Sequence, residues 1–145
     1  YGEGRKIIDQ YTTSTICMFR ITNLEEINQK YSRELGNKTI TQISDYIKEN
    51  ISNQYVFVRY MGPKFVIAFS GVEINGVAEF LNDLKEKLER TKITIKNQEN
   101  EEEQVALPRL NFAISTYYKG LEEILKKLEE YLDNADKAES DITNI

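Results

Sequence analysis

The chain has 145 residues, 19 Lys plus Arg against 24 Asp plus Glu, a net charge of −5, and 40% hydrophobic and 30% charged residues. That size suits one domain with its own core, and the acidic balance excludes a general nucleic-acid binder, because a phosphate backbone asks for a cationic face. A single cysteine, Cys17, and no histidine exclude an intramolecular disulfide scaffold, His-based triads and the usual His/Cys zinc sites. No apolar stretch approaches the ~18 residues of a membrane span. Direct membrane contact is therefore not expected, and a cytoplasmic location is, although a parent protein could be membrane-anchored. The chain starts at Tyr1 rather than Met. It reads as an excerpt of a longer multidomain protein, with 1–145 a single domain and 1–14 a lead-in segment.

In chain order, a short helix is expected around Arg5 to Tyr11, and the polar lead-in ends at Tyr11-Thr12-Thr13-Ser14. Ile16 to Ile21 is a short apolar run, the pattern of a buried strand, with Cys17 a small core residue in it. Thr22 or Asn23 can cap a helix carrying Glu25 and Glu26 in its first turn and Leu24, Ile27 and Tyr31 on one face. Gly36-Asn37 is expected to break it, and a second helix from about Lys38 to Asn50 carries Ile40, Ile43, Ile47 and Ile51 at helical spacing.

Tyr55 to Tyr60 and Phe65 to Phe69 are β-branched and aromatic, joined through Met61-Gly62-Pro63-Lys64, which predicts a β-hairpin. A third helix is expected over Gly76 to Arg90, with Val77, Phe80, Leu81, Leu84 and Leu88 on one stripe. Thr91 to Lys96 alternates like a strand. Asn97 to Gln104 reads as a solvated acidic hairpin tip; its adjacent carboxylates lack the fixed geometry of a metal cage. Leu110 to Thr116 predicts another strand, Leu121 to about Ala138 a last helix, and a further strand can close the chain. The order β-α-α-β-β-α-β-β-α predicts an α/β (α+β) fold: a mixed, mostly antiparallel sheet of palm or ferredoxin-like type with helices packed on it.

The stretch Ile27-Asn28-Gln29-Lys30-Tyr31-Ser32-Arg33-Glu34-Leu35-Gly36-Asn37 resembles Ile-Asn-Asp-x-Tyr-Gly-His-x-x-Gly-Asp of the GGDEF (diguanylate cyclase) family. Arg59-Tyr60-Met61-Gly62-Pro63-Lys64-Phe65 stands where that family has Arg-Tyr-Gly-Gly-Asp-Glu-Phe, and Asn111-Phe112-Ala113-Ile114-Ser115 where it has Ser-Ile-Gly-Ile/Val-Ser. The pieces occur in order and at family spacing, over roughly Ile16 to Ala138. The family's opening Asp-x-Leu-Thr-x-Leu-x-Asn-Arg signature is not matched.

The resemblance implies a cyclase-type fold in which the signature hairpin and the end of the first strand hold GTP and two Mg²⁺, so that two GTP molecules on a dimer are joined into cyclic di-GMP. Such phosphoryl transfer needs carboxylates to hold the metals. Here the two first-strand Asp positions are Arg20 and Thr22, and the two acidic signature positions are Pro63 and Lys64. The first signature glycine, which lets the backbone approach phosphates, is Met61; Gly62 keeps its type. Of the two residues implied to read guanine, Asn28 matches and Asn37 replaces an Asp. An amide offers a single acceptor oxygen where the carboxylate offers two, which weakens the readout of guanine's paired donors. The phosphate-binding Lys and Arg fall on Asp136 and Ser140, and the inhibitory Arg-x-x-Asp site falls on Ser52-Asn53-Gln54-Tyr55.

No catalytic residue, no metal ligand and no Mg²⁺ cofactor is therefore expected. The leading expectation is a non-catalytic, degenerate GGDEF-like regulatory or interaction domain in bacterial cyclic di-GMP-type signalling. Its partners would be other domains of the parent protein or a second copy in a homodimer, with Tyr117, Tyr118, Tyr55 and Tyr60 as contact points or strand-packing residues. One alternative is a metal-independent nucleotide (GTP) sensor, in which Arg20 and Lys64 receive phosphates directly and Asn28, Asn37 and Gly62 complete the site. The competing reading for Arg20 and Lys64 is that both point to solvent. A weak nucleotide hydrolase or cyclase is the remaining alternative.

Overall fold

The computed structural model describes residues 14–96, 103–118, 120–135 and 141–145. The expected helix over Arg5 to Tyr11, the acidic tip from Asn97 to Glu102, and Asp136, Ala138 and Ser140 lie outside these.

The elements run β1 (Ser14–Ile21), α1 (Leu24–Lys30), α2 (Arg33–Asn50), β2 (Val56–Met61), β3 (Lys64–Ser70), α3 (Ile74–Arg90), β4 (Ile93–Lys96), β5 (Glu103–Ala106), β6 (Leu110–Thr116), α4 (Leu121–Asn134) and β7 (Ile142–Asn144). Five strands form one sheet in the order β2-β3-β1-β6-β7, antiparallel except for the β6–β7 pair; β4 and β5 make a separate antiparallel hairpin. The mixed, mostly antiparallel α/β architecture expected from the pattern is the observed one.

Both faces of the sheet are covered, which is why β1, β3 and β6 read as continuous apolar runs. Cys17, Phe19, Ile21, Phe65, Ile67, Phe69, Phe112 and Ile114 face α2 and α3; Ile16, Met18, Val66, Ala68 and Ala113 face α4. Burial pushes the Cys17 thiol well up, so the group behaves as a small apolar filler. Phe19 stacks on Phe65 at 5.1 Å and packs on Phe112 at 5.0 Å, directly across both ladders. A one-residue slip would move this aromatic row to the other face, so it pins the register. Each of those fully buried rings contributes roughly 1.5–3 kcal/mol by burial.

Several expectations need correction. β1 begins at Ser14 rather than Ile16, because both leading hydroxyls are satisfied on the far turn: Thr15 Oγ1 donates to Val72 O at 2.8 Å, and Ser14 Oγ accepts from the Gly71 amide at 3.2 Å. The break between α1 and α2 falls at Tyr31-Ser32, not at Gly36-Asn37. Ser32 caps α2 by accepting from the Leu35 amide at 3.1 Å, and Gly36 sits buried inside the helix. Glu103-Gln104 opens strand β5, which the polarity of the preceding loop concealed. Phe80, expected on one stripe with Val77, Leu81, Leu84 and Leu88, lies at the edge of that stripe, 36% exposed and meeting Phe69 edge-on. At the other end, α4 stops at Asn134.

Candidate functional site

The ends of β1, β3 and β6 bring three polar residues into one row. Arg20 lies directly opposite Lys64 on β3 and directly opposite Asn111 on β6. By the two-residue period of a strand, all three share the face that packs on α4. Neither cation points freely to solvent. The Lys64 ammonium is held 2.9 Å from Glu129 Oε2 and 2.7 Å from Asp133 Oδ1, carboxylates one turn apart on α4. Burial by itself would lower the Lys64 pKa. The hydrogen bonds and charges of Asp133 and Glu129 outweigh that and hold it above the ordinary lysine value. Arg20, half-buried, sends Nη1 toward Leu132 O at 3.5 Å, at the carbonyl end of α4 where a cation suits the helix dipole. Two sheet cations thus fasten the end of the last helix.

The hairpin that carries the signature is tight. Gly62 takes φ 57 and Pro63 follows it, the glycine-first pattern of a two-residue hairpin turn with proline fixing the second φ. Pro63 O accepts from the Ile21 amide at 3.0 Å and Arg59 Nε donates to Gly62 O at 3.0 Å, so the tip is tied to the end of β1 and to its own strand. Met61 is 66% exposed, beside the turn, and Phe65 is buried in the core. Thr22, at the second former Asp position, is buried with its Oγ1 donating to Arg109 O at 3.2 Å. Arg20, Thr22, Pro63 and Lys64 bring no carboxylate oxygen to the positions where the resemblance places Mg²⁺ ligands, so this donor set does not fit that ion. Among the described residues, no group of three or more His, Cys, Asp or Glu is placed to hold a metal.

Asn28 meets Gly36 where α1 and α2 pack together. The Asn28 side chain lies on Gly36, so closely that a Cβ there would collide with Asn28 Oδ1, and that oxygen is buried without a hydrogen-bond partner. Asn37, the next residue, is exposed on α2. Asn23, expected as a helix cap, makes no side-chain cap. It donates to Leu107 O and accepts from the Arg109 amide, each at 2.8 Å, locking α1 to the segment entering β6. Of the four tyrosines considered as contacts, Tyr55 packs on Phe69, Tyr60 and Tyr117 pack on the α4-side core, and Tyr118 is 59% exposed. Glu129, Asp133 and Asn111 were not anticipated in the site. The first two had a signal: carboxylates one turn apart beside the Leu125-Leu128-Leu132 stripe, facing a sheet with unpaired cations.

Comparison with known proteins agrees with this architecture. The family model described as "Diguanylate cyclase, GGDEF domain" matches residues 5–141. The GGDEF domain of DgcB from Caulobacter crescentus, solved in complex with c-di-GMP, superposes with a TM-score of 0.80 at 13% identity, over 97% of this chain and 82% of that one. Diguanylate cyclase SiaD from Pseudomonas aeruginosa, solved with its activator SiaC, gives a TM-score of 0.85 at 7% identity, over 99% of this chain and 56% of that one. At such identities the likeness is one of fold. An uncharacterized membrane protein of Staphylococcus aureus strain USA300 is 19% identical over 96 residues, 66% of this chain and 27% of its own length. The chain thus spans about a quarter of the length of that curated relative. By its sheet, its hairpin and its family match, the chain belongs to the GGDEF domain family of cyclic di-GMP signalling.

Proposed function

We infer that this domain is a non-catalytic member of its family, a cytoplasmic regulatory or interaction module within a longer signalling protein. One observation carries the reading: at the end of the signature hairpin, Lys64 is neutralised by Glu129 and Asp133 at 2.9 and 2.7 Å. An internal ammonium stands where the family's chemistry wants a metal, and the carboxylates come from the helix instead of the sheet. Family cyclases need metal-bound GTP on both halves of a dimer, and this arrangement supports a site that holds the fold together rather than one that turns over substrate. Partners are then proteins: neighbouring domains of the parent chain or a second copy. The test is incubation of the purified domain with GTP and Mg²⁺, with an active cyclase assayed alongside. The expected result is no cyclic di-GMP; formation of the dinucleotide would overturn the reading.

A second reading, metal-independent nucleotide sensing, retains one specific support. Arg20, unlike Lys64, has no carboxylate partner among the described residues. Calorimetric titration with GTP, with and without Mg²⁺, decides it. Saturable Mg²⁺-independent binding lost in Arg20→Ala supports sensing, and no heat at millimolar GTP removes it.

A further inference from the structure

β2 is the outer strand of the five-stranded sheet, bonded on one side to β3. Among the described residues, Val56 to Arg59 make no backbone hydrogen bond outside that ladder. Helix α4 lies across β1 and β6, inward of this edge. An outer strand leaves a row of N–H and C=O groups open to pairing with another chain, and proteins blunt such edges with lysine, proline, bulges or a covering element. This one is blunted at its tip: the bulge falls between Arg59 and Met61, and the Gly62-Pro63 turn follows. Val56, Phe57 and Val58 are half-buried apolar residues in regular register with β3. The strand's one charge, Arg59, is exposed and sends Nε along the chain to Gly62 O at 3.0 Å. An apolar edge with its charge at one end is a template for a further strand.

We propose that β2 is a dimerisation edge, joining two copies of this chain by antiparallel β2–β2 pairing into one continuous sheet. This dimer rests on the interaction-module reading given above and names its surface and its partner. The strand is complementary to itself. With a two-fold axis at Val58, Val58 faces its own copy, Val56 faces the partner's Tyr60, and Phe57 faces the partner's Arg59. Aromatic on β-branched, β-branched on β-branched and cation on ring are favourable cross-strand pairs. Face parity holds as well: Val56, Val58 and Tyr60 pack toward the α4-side core, while Phe57 stacks on Phe65 on the other face. Moving the axis one residue, to Arg59, would set two guanidinium groups opposite each other, so charge disfavours that register. A second copy fits this edge better than an unrelated peptide, because each copy supplies both halves of every pair. One strand pair buries less than about 1,200 Å², which makes the dimer a weak one. It uses neither Arg20 nor Asn28 and needs no nucleotide.

The test is sedimentation equilibrium of the chain, without nucleotide, from about 1 μM to about 500 μM. The weight-average mass should climb from one chain toward two. Val58→Lys sets two ammonium groups face to face on the axis and should hold the chain at the monomer mass throughout. Val58→Cys gives a readout that does not depend on how well the lysine variant folds. Directly opposite Cα atoms of an antiparallel pair lie about 4.5–5.5 Å apart, within disulfide reach, so mild oxidation should link two chains through position 58. Arg59→Cys, two positions out of register with its own copy, should fail to link. Cys17 is buried and does not compete. A monomer at every concentration would overturn the proposal. So would a dimer that Val58→Lys leaves intact and Val58→Cys does not link, since the copies would then meet elsewhere. The cyclase assay reads separately: cyclic di-GMP would overturn the non-catalytic reading, while the β2 dimer stands or falls on the mass and the cross-link.

Discussion

Arg20 and Lys64 stand directly opposite each other on β1 and β3, and among the described residues only Lys64 has carboxylate partners. The Lys64 side chain is 12% exposed, Glu129 27% and Asp133 49%, so the cluster lies between a surface pair and a buried one. Truncating the lysine removes one cation and leaves two carboxylates a helical turn apart. Lys64→Met should therefore destabilise the domain by about 1–2 kcal/mol, above an exposed pair and below a buried one. Lys64→Glu, which restores the family's charge at that position, should be worse, because it sets a third carboxylate against the same two. Urea unfolding of the three proteins checks both the sign and the order.

The same cluster predicts an alkaline limit. The folded Lys64 pKa is raised above the ordinary value near ~10.4. A raised cation contributes stability that is fully present below the unfolded pKa and is lost as pH rises through the folded one. The stability difference between the unaltered chain and Lys64→Met should thus hold steady from pH 7 to about 9.5 and shrink above the unfolded lysine pKa. A difference that instead disappeared in mildly alkaline solution would show that the folded Lys64 pKa is not raised.

Much of this fold is legible in the sequence because most of its elements obey their own period. β6 is expected at Leu110 to Thr116 and is found there, since Leu110, Phe112 and Ile114 alternate along it. The α1–α2 junction was misplaced because Gly36 looks like a helix stop. Its role is long-range: it makes room for Asn28 on the neighbouring helix, and no local rule encodes that. The candidate site divides the same way. Loss of the metal carboxylates at Arg20, Thr22, Pro63 and Lys64 can be read from the motif. Who answers Lys64 cannot, because Glu129 and Asp133 lie more than sixty positions downstream and meet it only when α4 crosses the sheet.

The hairpin turn gives a clean backbone test. Gly62 has φ 57, and a Cβ added there would meet nothing within 4 Å. The whole cost of Gly62→Ala is then conformational, about 1–2 kcal/mol for a left-handed alanine. Gly62→Asn should lose less, because asparagine tolerates that region. Equal losses for alanine and asparagine in chemical denaturation would point to a contact rather than to φ.

Gly36 is the opposite case, where space and not φ sets the requirement. In an open helix Gly→Ala gains roughly 1 kcal/mol. Here the new methyl would strike Asn28 Oδ1, the far end of a side chain that must then move out of its niche. The displacement leaves α1 and α2 less well packed where Ile27, Leu35 and Ile93 meet. Gly36→Ala alone should therefore be destabilising by about 1 kcal/mol, with the steric cost outweighing the helix gain. In an Asn28→Ala background the obstacle is gone and the buried unpaired oxygen with it, so the same change should become stabilising. That sign reversal is the measurable content of the contact. A double-mutant cycle by urea unfolding should return a coupling of about 1–2 kcal/mol between positions 28 and 36, and additive effects would dissolve the contact.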